Sequence, residues 1–432
     1  MGTGDSRRND RLIREVNWII SAERQRGAGG SGGRSPAAAQ DAVSGPSRPR
    51  HETKIRPHDW AERGLTDYMC RGGELLVNDV DLPRVRQSLD EREIGIEIAD
   101  SLFGGITLLR IDGELDEVLD FLDEQLGVGV ASPNHMLCIT PGGSHCPATE
   151  PDEPRRDDPW PGLGDRDDGR GVRVAVVDTG FLQGWESRPQ SPWLSGITEY
   201  DVDDPDVLEP KGFIDPYAGH GTFIAGVVRA MAPATEVTVD GIIAVAGVVD
   251  EAGIVKQLGE GLSRSPDIIN LSAGCYTRKN LPPKAFAAFW EHRLRHHKGV
   301  VVVAAAGNDG GRDPFWPAAF PWTVSVGALT ADGRARAEFS NHGGWVDVYA
   351  PGVDLVNAYC EGEYRLLLDP NEVRTFNGMC KWSGTSFSTP IVAGLIAARM
   401  SRTGENGRHA ADALLDAARG QLLPGVGPRL LP

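Results

Sequence analysis

The sequence has no hydrophobic run long enough for a membrane span and no recognisable export signal. A spanning helix needs about 20 mostly apolar residues, and a secretory signal needs a basic start, an apolar stretch and a small-residue cleavage site. The nearest candidate, residues 16–20, is interrupted by Asn17 and followed at once by charged residues. We therefore expect a cytoplasmic protein that does not act on membranes, with secretion by another route as the alternative.

Cysteine is scarce, with six residues in a chain of 432, and none lies in a paired CxxC spacing. This excludes a dense disulfide scaffold and a cysteine-rich zinc cluster. Cys138 with Cys146, and Cys360 with Cys380, are each spaced to close a short loop in an oxidising compartment. In a reducing cytoplasm all six remain thiols, which is the interpretation we favour.

Positive charge is in deficit, because 44 Lys and Arg residues stand against 61 Asp and Glu residues, a formal net charge of -17. A field of this sign repels nucleic acid phosphates and anionic lipid surfaces. We therefore expect no nucleic acid and no membrane among the partners.

The composition is otherwise that of a globular protein, with 40% apolar and 24% charged residues. We divide the chain into a flexible N-terminal tail at 1–55, a small domain at 56–147, a linker at 148–170 and a large domain at 171–432. The small domain has the order strand, helix, strand, strand, helix, strand, which predicts a ferredoxin-like α+β layer. The linker is rich in Pro, Asp, Glu, Arg and Gly, which is typical of a boundary.

The large domain alternates short apolar strands with helical stretches, which predicts an open parallel α/β sheet flanked by helices. The predicted strands are 172–177, 236–239, 268–271, 300–305 and 323–326. The predicted helices are 222–231, 252–262, 284–296, 387–400 and 410–418. In such a sheet the functional residues lie at the carboxyl ends of strands and the starts of helices.

Three polar residues lie at these positions, each in its own motif. Asp178 ends the first strand in Asp-Thr-Gly, His220 stands between two glycines at a helix start, and Ser386 enters a helix after Ser-Gly-Thr. Singly, these are explained as a strand-end acid, a helix-start hydrogen bonder and a helix cap. Together, in the order Asp, His, Ser, they predict a catalytic triad.

A fourth motif, Ala-Gly-Asn-Asp-Gly around Asn308, follows the strand at 300–305. The four motifs resemble those of the subtilisin-like (S8) serine protease family, and the resemblance covers residues 171–432. It implies a serine endopeptidase in which Ser386 is the nucleophile, His220 the general base, Asp178 its orienting carboxylate and Asn308 an oxyanion-hole donor.

The resemblance also implies that Ser272, Ala273 and Gly274 bind the substrate backbone by adding a strand. Cys275 and Tyr276 follow, and they are bulkier than the glycine often seen there, so we expect an altered primary specificity pocket.

The small domain resembles an I9-like inhibitory prodomain in size, position and its terminal Ser-Pro-Asn-His, residues 132–135. The resemblance implies a zymogen that has its own prodomain as a partner, besides protein or peptide substrates. The chain would then be cut between Cys138 and Asp168. The alternative is an unrelated small docking domain on the same widely used fold.

No cofactor is required by this chemistry, and structural calcium is an open alternative. The acidic residues that suit calcium also suit a solvated loop, which composition favours; they are Asp201, Asp203, Asp204 and Asp206. His292 and His296 have a spacing that zinc ligands use, but their basic neighbours favour a helix end.

Three other classes of protein compete with the endopeptidase. A sedolisin-type carboxyl peptidase would carry a glutamate where His220 stands. A nucleotide-binding protein would need a glycine-rich loop after a strand, and none is present. A catalytically silent binding or scaffold protein on the same fold is the main alternative, to be separated by labelling of Ser386 with a fluorophosphonate.

Overall fold

The computed structural model describes most of the chain from Tyr68 onward. The described residues are 53–54, 68–138, 148–158, 162–182, 184–185, 188–200, 213–214, 218–241, 247–366, 369 and 371–432. The predicted tail at 1–55 lies almost wholly outside them, as do the acidic residues 201–206. Among the described residues, no helix has both the length and the apolar character needed to cross a bilayer.

The first part of the chain is a layer of two helices on an antiparallel sheet. Its elements are β1 (Cys70–Asn78), α1 (Leu82–Asp90), β2 (Ile96–Leu102), β3 (Ile106–Ile111), α2 (Leu115–Leu126) and β4 (Ala131–Cys138). The strands lie in the order β4-β1-β3-β2, and a short strand, Thr53–Lys54, pairs with β1. The helices cover one face, where Leu75, Leu109 and Leu119 are fully buried.

The second part is organised by a parallel sheet. Its first elements are β5 (Arg173–Asp178), β6 (Thr198–Tyr200), β7 (Phe213–Ile214), α3 (His220–Met231), β8 (Glu236–Gly241), β9 (Val248–Asp250), α4 (Glu251–Ser263) and β10 (Ile268–Leu271). There follow α5 (Lys284–His292), β11 (Val301–Ala305), β12 (Thr323–Leu329), β13 (Val348–Pro351), β14 (Leu355–Arg365), β15 (Val373–Trp382), α6 (Thr385–Thr403) and α7 (Gly407–Arg419). The chain ends in a small hairpin of β16 (Leu422–Leu423) and β17 (Gly427–Pro428).

The main sheet has seven strands in the order β13-β12-β11-β10-β5-β8-β6. Every pairing in it is parallel. Successive side chains of β5 enter opposite cores, since Val174 and Val176 pack in one cluster and Ala175 and Val177 in the other. Burial on both faces explains why these strands are continuous apolar runs.

Two further pairings connect the outer parts of the molecule. Strand β9 pairs antiparallel with β4, so the N-terminal sheet continues into the second part of the chain. Strands β15, β14 and β7 form a separate three-stranded sheet beside α3.

The structure moves several of the predicted boundaries. The last strand of the N-terminal layer begins only at Ala131 and runs to Cys138, because residues 127–130 form a turn closed by a 3.2 Å hydrogen bond from Val130 N to Gly127 O. The helix predicted at 284–296 ends at His292 and is followed by a separate 3₁₀ turn, Leu294–His296. The helices predicted from 222 and 387 begin two residues earlier, at His220 and Thr385.

Candidate active site

Asp178 and His220 form a buried hydrogen-bonded pair. Asp178 is the last residue of β5 and His220 the first of α3. His220 Nδ1 lies 2.6 Å from Asp178 Oδ1, and neither side chain is exposed to solvent. The approach depends on Gly221, where a Cβ would collide with the carbonyl oxygen of Gly180.

The pairing assigns the proton of the imidazole to Nδ1, since the carboxylate oxygen can only accept. Nε2 of His220 is buried and has no hydrogen-bond partner among the described residues. The rings of Trp382 and Phe387 pack against the imidazole at centroid distances of 5.6 and 5.3 Å and restrict its rotation.

Ser386 is the second residue of α6, next to Phe387. Its Oγ donates to the carbonyl oxygen of Ser272 at 3.4 Å, and the residue is fully buried. Because Nε2 of His220 has no partner, the Ser386–His220 hydrogen bond of a triad is not formed in this arrangement. Such bonds are often long before substrate binds and tighten in the complex.

Pro390 lies inside α6, four residues after Ser386. It has no N–H, so the helix cannot form its usual bond to the carbonyl oxygen of Ser386. The hydroxyl of Ser272 donates to that oxygen at 2.9 Å instead. Because Pro390 cannot donate to it, the carbonyl oxygen of Ser386 is available to accept this hydrogen bond, which connects α6 to the residue that follows β10.

Asn308 lies three residues after the end of β11, and only the oxygen of its side-chain amide is hydrogen-bonded. Its Oδ1 accepts from the backbone N of Thr385 at 2.8 Å and from the Thr385 hydroxyl at 2.9 Å. Its Nδ2 is buried and has no acceptor among the described residues. A buried donor without a partner costs folding free energy. Nδ2 of Asn308 is such a donor, and Asn308 is hydrogen-bonded to Thr385, the residue before Ser386.

Thr385 was not singled out from the sequence, although it lies within the Ser-Gly-Thr-Ser motif. Its hydroxyl also accepts from Gly307 N at 3.1 Å, so it fixes the loop that carries Asn308. The Ser-Gly-Thr-Ser motif draws attention to Thr385, but it does not indicate the partner of Thr385, because Asn308 lies 77 residues away in the chain.

The segment predicted to bind substrate, Ser272 to Gly274, follows β10 and is already paired. Cys138, at the end of β4, donates its backbone N–H to Gly274 O at 3.0 Å and accepts from Gly274 N at 3.2 Å. The bridge is antiparallel. Ala273, which lies between Ser272 and Gly274 in the chain, is buried.

Residues that follow the N-terminal layer contact the end of β15, next to the site. Thr149 accepts from Trp382 Nε1 at 2.7 Å through its carbonyl and from Ser383 N at 3.3 Å through its hydroxyl. Asp152 and Lys381 exchange two backbone hydrogen bonds of 2.9 and 2.8 Å. Part of the predicted linker is thus docked on the strand that leads into Ser386.

The N-terminal layer is held to the second part of the chain by buried polar contacts. His135 Nδ1 lies 2.9 Å from Glu251 Oε2, and its Nε2 accepts from Arg278 N at 3.2 Å. The guanidinium of Arg278 pairs with Asp123 at 2.6 Å and also contacts Asp120.

The described cysteines are buried, and Cys380 is a thiol that forms no disulfide with Cys360. Cys146, the possible partner of Cys138, lies outside the described residues. Within the described part of the chain, no group of three or more His, Cys, Asp or Glu side chains is arranged to hold a metal ion. His292 and His296 are therefore not part of such a group.

The carboxyl ends of three adjacent parallel strands, β5, β10 and β11, carry Asp178, Ser272 and Asn308, and α3 and α6 supply His220 and Ser386. The three residues predicted as a triad thus lie at one edge of an open parallel α/β sheet. The chain belongs to the subtilase family, Peptidase_S8, whose model matches residues 169–422.

Curated relatives match about half of the chain. A "Thermophilic serine proteinase" of Bacillus sp. (strain AK1) is 34% identical over 253 residues, which are 55% of this chain and 53% of the relative. An "Intracellular serine protease" of Paenibacillus polymyxa is 30% identical over 245 residues, 53% of this chain and 66% of the relative. The chain thus spans about half to two thirds of the length of these relatives.

A solved structure supports the fold alone. Fervidolysin from Fervidobacterium pennivorans, described as a keratinolytic enzyme related to subtilisin, aligns with a TM-score of 0.56 and 18% identity. The alignment covers 88% of this chain and 61% of that one.

Proposed function

We propose that the protein is a serine endopeptidase that hydrolyses protein or peptide substrates through an acyl-enzyme on Ser386. The observation that carries this proposal is a pair of buried polar atoms without partners at one site, an acceptor on His220 and a donor on Asn308. An acyl-transfer reaction needs these two functions beside a serine hydroxyl.

In the proposed mechanism, Nε2 of His220 takes the proton of Ser386 as its Oγ bonds to the peptide carbonyl carbon. Asp178 keeps the imidazole in the Nδ1–H tautomer and stabilises its positive charge. Nδ2 of Asn308 and the backbone N–H of Ser386 donate to the oxyanion. His220 then gives its proton to the leaving amine, and water releases the acyl group by the same steps.

The test is labelling with a fluorophosphonate and hydrolysis of casein. Ser386→Ala should abolish both, because the nucleophile is gone. Ser388→Ala, a matched change two residues further along α6, should retain both. Labelling of Ser386→Ala at the level of the unaltered protein would contradict the assignment.

The alternative is a catalytically silent binding protein on the same fold. The hydrogen bond from Ser386 to Ser272 O, rather than to His220, is the observation that favours it. A well-folded protein that neither reacts with the fluorophosphonate nor cleaves casein would establish this alternative.

We also propose that residues 56–147 are a ferredoxin-like, I9-like inhibitory prodomain, so that the chain is a self-inhibited zymogen. The strand-helix-strand order of the layer supports this, as does the sheet order β4-β1-β3-β2. So do the contacts of the chain with its own site, Cys138 on Gly274 and Thr149 on Ser383. Strand addition at Gly274 is how a peptide substrate would bind.

Self-processing is the test of the zymogen proposal. The unaltered protein should cut itself between Cys138 and Asp168, and mass spectrometry of the new amino terminus locates the bond. Ser386→Ala should stay full-length, whereas cleavage of purified Ser386→Ala at the same bond would refute self-processing.

We propose, finally, that the protein works in a reducing compartment, as expected for the cytoplasm. The buried thiols of Cys275 and Cys380 support this, and burial together with the neighbouring Cys360 raises the pKa of the Cys380 thiol. Alkylation of the free thiols in the unfolded protein, followed by reduction and titration of any thiols released, would detect a disulfide if one forms.

A further inference from the structure

We infer that the pocket for the substrate residue before the scissile bond is closed by the ring of Phe315, so that the enzyme cleaves after Gly, Ala or Ser. The inference rests on the proposed function and adds the class of substrate. It concerns a residue that none of the sequence motifs contains.

Three groups fix the position of the substrate residue that is attacked. Its carbonyl carbon must meet Ser386 Oγ, and its carbonyl oxygen must meet Nδ2 of Asn308. The substrate backbone that precedes this residue pairs with residues 272–274, in the way that Cys138 pairs with Gly274. Its side chain then enters between residues 272–274 on one side and residues 306–308 on the other.

The ring of Phe315 already lies between these two walls. A Cβ added at Gly274 would be 2.9 Å from Phe315 Cδ1, and one added at Gly307 would be 3.0 Å from the same atom. Both distances are at or below the closest approach of real side chains, so the ring contacts the backbone of each wall. Phe315 is completely buried.

Tyr276 holds the ring from one side. The two rings meet edge to face with centroids 5.1 Å apart. The hydroxyl of Tyr276 donates to Asp309 Oδ2 at 2.7 Å and accepts from Asn341 Nδ2 at 2.9 Å. Burial, followed by the charge of Asp309, raises the pKa of Tyr276 far above its usual value, so the Tyr276 hydroxyl keeps its proton.

The backbone beside Phe315 is fixed as well. Cys275 and Trp316 exchange two backbone hydrogen bonds of 2.8 and 2.9 Å, which tie the residue after Phe315 to the wall that contains Gly274. Asn341 also donates to Ala306 O at 2.8 Å and so supports the opposite wall. Moving the ring aside would break this close-packed arrangement.

The expected selectivity follows from the space that remains. One methylene more or less in a tight pocket changes kcat/KM by about 10- to 200-fold. A substrate phenyl group would need the volume that Phe315 occupies. We therefore expect kcat/KM to be at least about 10²-fold higher after Ala than after Phe.

The experiment uses the full chain and tetrapeptide p-nitroanilides that differ only in the last residue, Ala, Leu or Phe. Phe315→Ala should raise kcat/KM for the Phe substrate at least about 10-fold and change that for the Ala substrate less than about 3-fold. Phe315→Leu should be intermediate, and it keeps the test valid if the larger truncation fails to fold. Phe286→Leu, the same change at a buried ring of α5, should leave the Ala-to-Phe ratio unaltered.

Comparable wild-type rates after Ala and after Phe would overturn the inference, as would an unchanged ratio in either folded Phe315 variant. Peptide binding to Ser386→Ala, cut in the linker by an added protease and separated from the N-terminal layer that pairs with Gly274, reports the pocket without catalysis when measured by calorimetry with Ala- and Phe-ending peptides. If no variant hydrolyses any substrate but Phe315→Ala in the Ser386→Ala background shifts binding toward the Phe peptide, the proposed function fails and the pocket assignment stands. Equal binding of both peptides in every background refutes the pocket.

Discussion

Removing the side chain of Asn308 separates two roles that the structure gives to one residue. Its Oδ1 stabilises the fold by accepting two hydrogen bonds from Thr385, at 2.8 and 2.9 Å. Its Nδ2 has no acceptor among the described residues and is proposed to act only when the oxyanion forms. Asn308→Ala removes both roles, whereas Asn308→Asp keeps an acceptor for Thr385 and removes the donor.

The two losses have different sizes. Loss of an oxyanion-hole donor reduces kcat by about 10² to 10³, or about 2.7 to 4 kcal/mol, a value measured on subtilisin, a member of the same family. Leaving a buried donor of Thr385 without its acceptor costs about 1 to 3 kcal/mol of folding free energy. Asn308→Asp should lose at least as much activity as Asn308→Ala, since its charge repels the oxyanion, but should lose less stability.

Steady-state kinetics on a small-residue p-nitroanilide, with thermal unfolding of the same samples, tests both predictions. We expect kcat to fall while KM stays within about 3-fold, because the donor acts in the transition state rather than on bound substrate. Thr385→Ser, which retains the hydroxyl, is the control and should keep kcat within about 10-fold. A folded Asn308→Ala with kcat near that of the wild type, or with the whole loss in KM, would refute the role of Nδ2.

Other predictions concern the triad and the N-terminal layer. Asp178→Asn should reduce kcat by about 10⁴, because the imidazole then adopts the wrong tautomer, and stopped assays that detect less than a 10-fold loss would contradict this. Arg278→Met should speed release of the layer from the processed enzyme by removing its buried pairing with Asp123, measured as recovery of activity after mixing; unchanged release would oppose it. Burial alone would raise the pKa of Asp123, but hydrogen bonds from Lys279, the backbone of Gly129 and Arg278 hold it below its usual value. A lowered pKa gives stabilisation that is complete above about pH 4 and is lost as pH falls through the folded-state value. The protection factors of the β4 amides, which correct for the pH dependence of intrinsic exchange, should therefore be unchanged from pH 7 to 5 and fall in stronger acid. A fall already at pH 6 would be inconsistent with this carboxylate.

The central strands could be predicted because their signal is local. β5, β10 and β11 are runs of Val, Ile and Ala that are buried on both faces, and each lies within about one residue of its predicted bounds. The polar residues at their ends follow from chain direction in a parallel sheet, which brings every carboxyl end to one edge. The candidate site could therefore be located from motifs and their order.

Contacts between segments that are far apart in the chain could not be predicted from the sequence. Ser272 and Ser386 are 114 residues apart, and the bond between them depends on a carbonyl that Pro390 leaves free. Nothing local to residue 315 indicates that its ring lies between Gly274 and Gly307, or that residues 149–152 dock on β15. Side-chain position in a close-packed interior is set by all neighbours at once, not by the residues adjacent in the chain.

The amino-acid sequence by itself indicated the parallel α/β architecture and the family, and it predicted Asp178, His220, Ser386 and Asn308 as the residues of the site. Only the tertiary structure decided which atoms of those residues already have partners, which remain unused, and what fills the space beside them. The physical reason is that apolar periodicity and turn chemistry act over a few residues, whereas hydrogen-bond pairing and cavity shape are settled by packing between segments far apart in the chain.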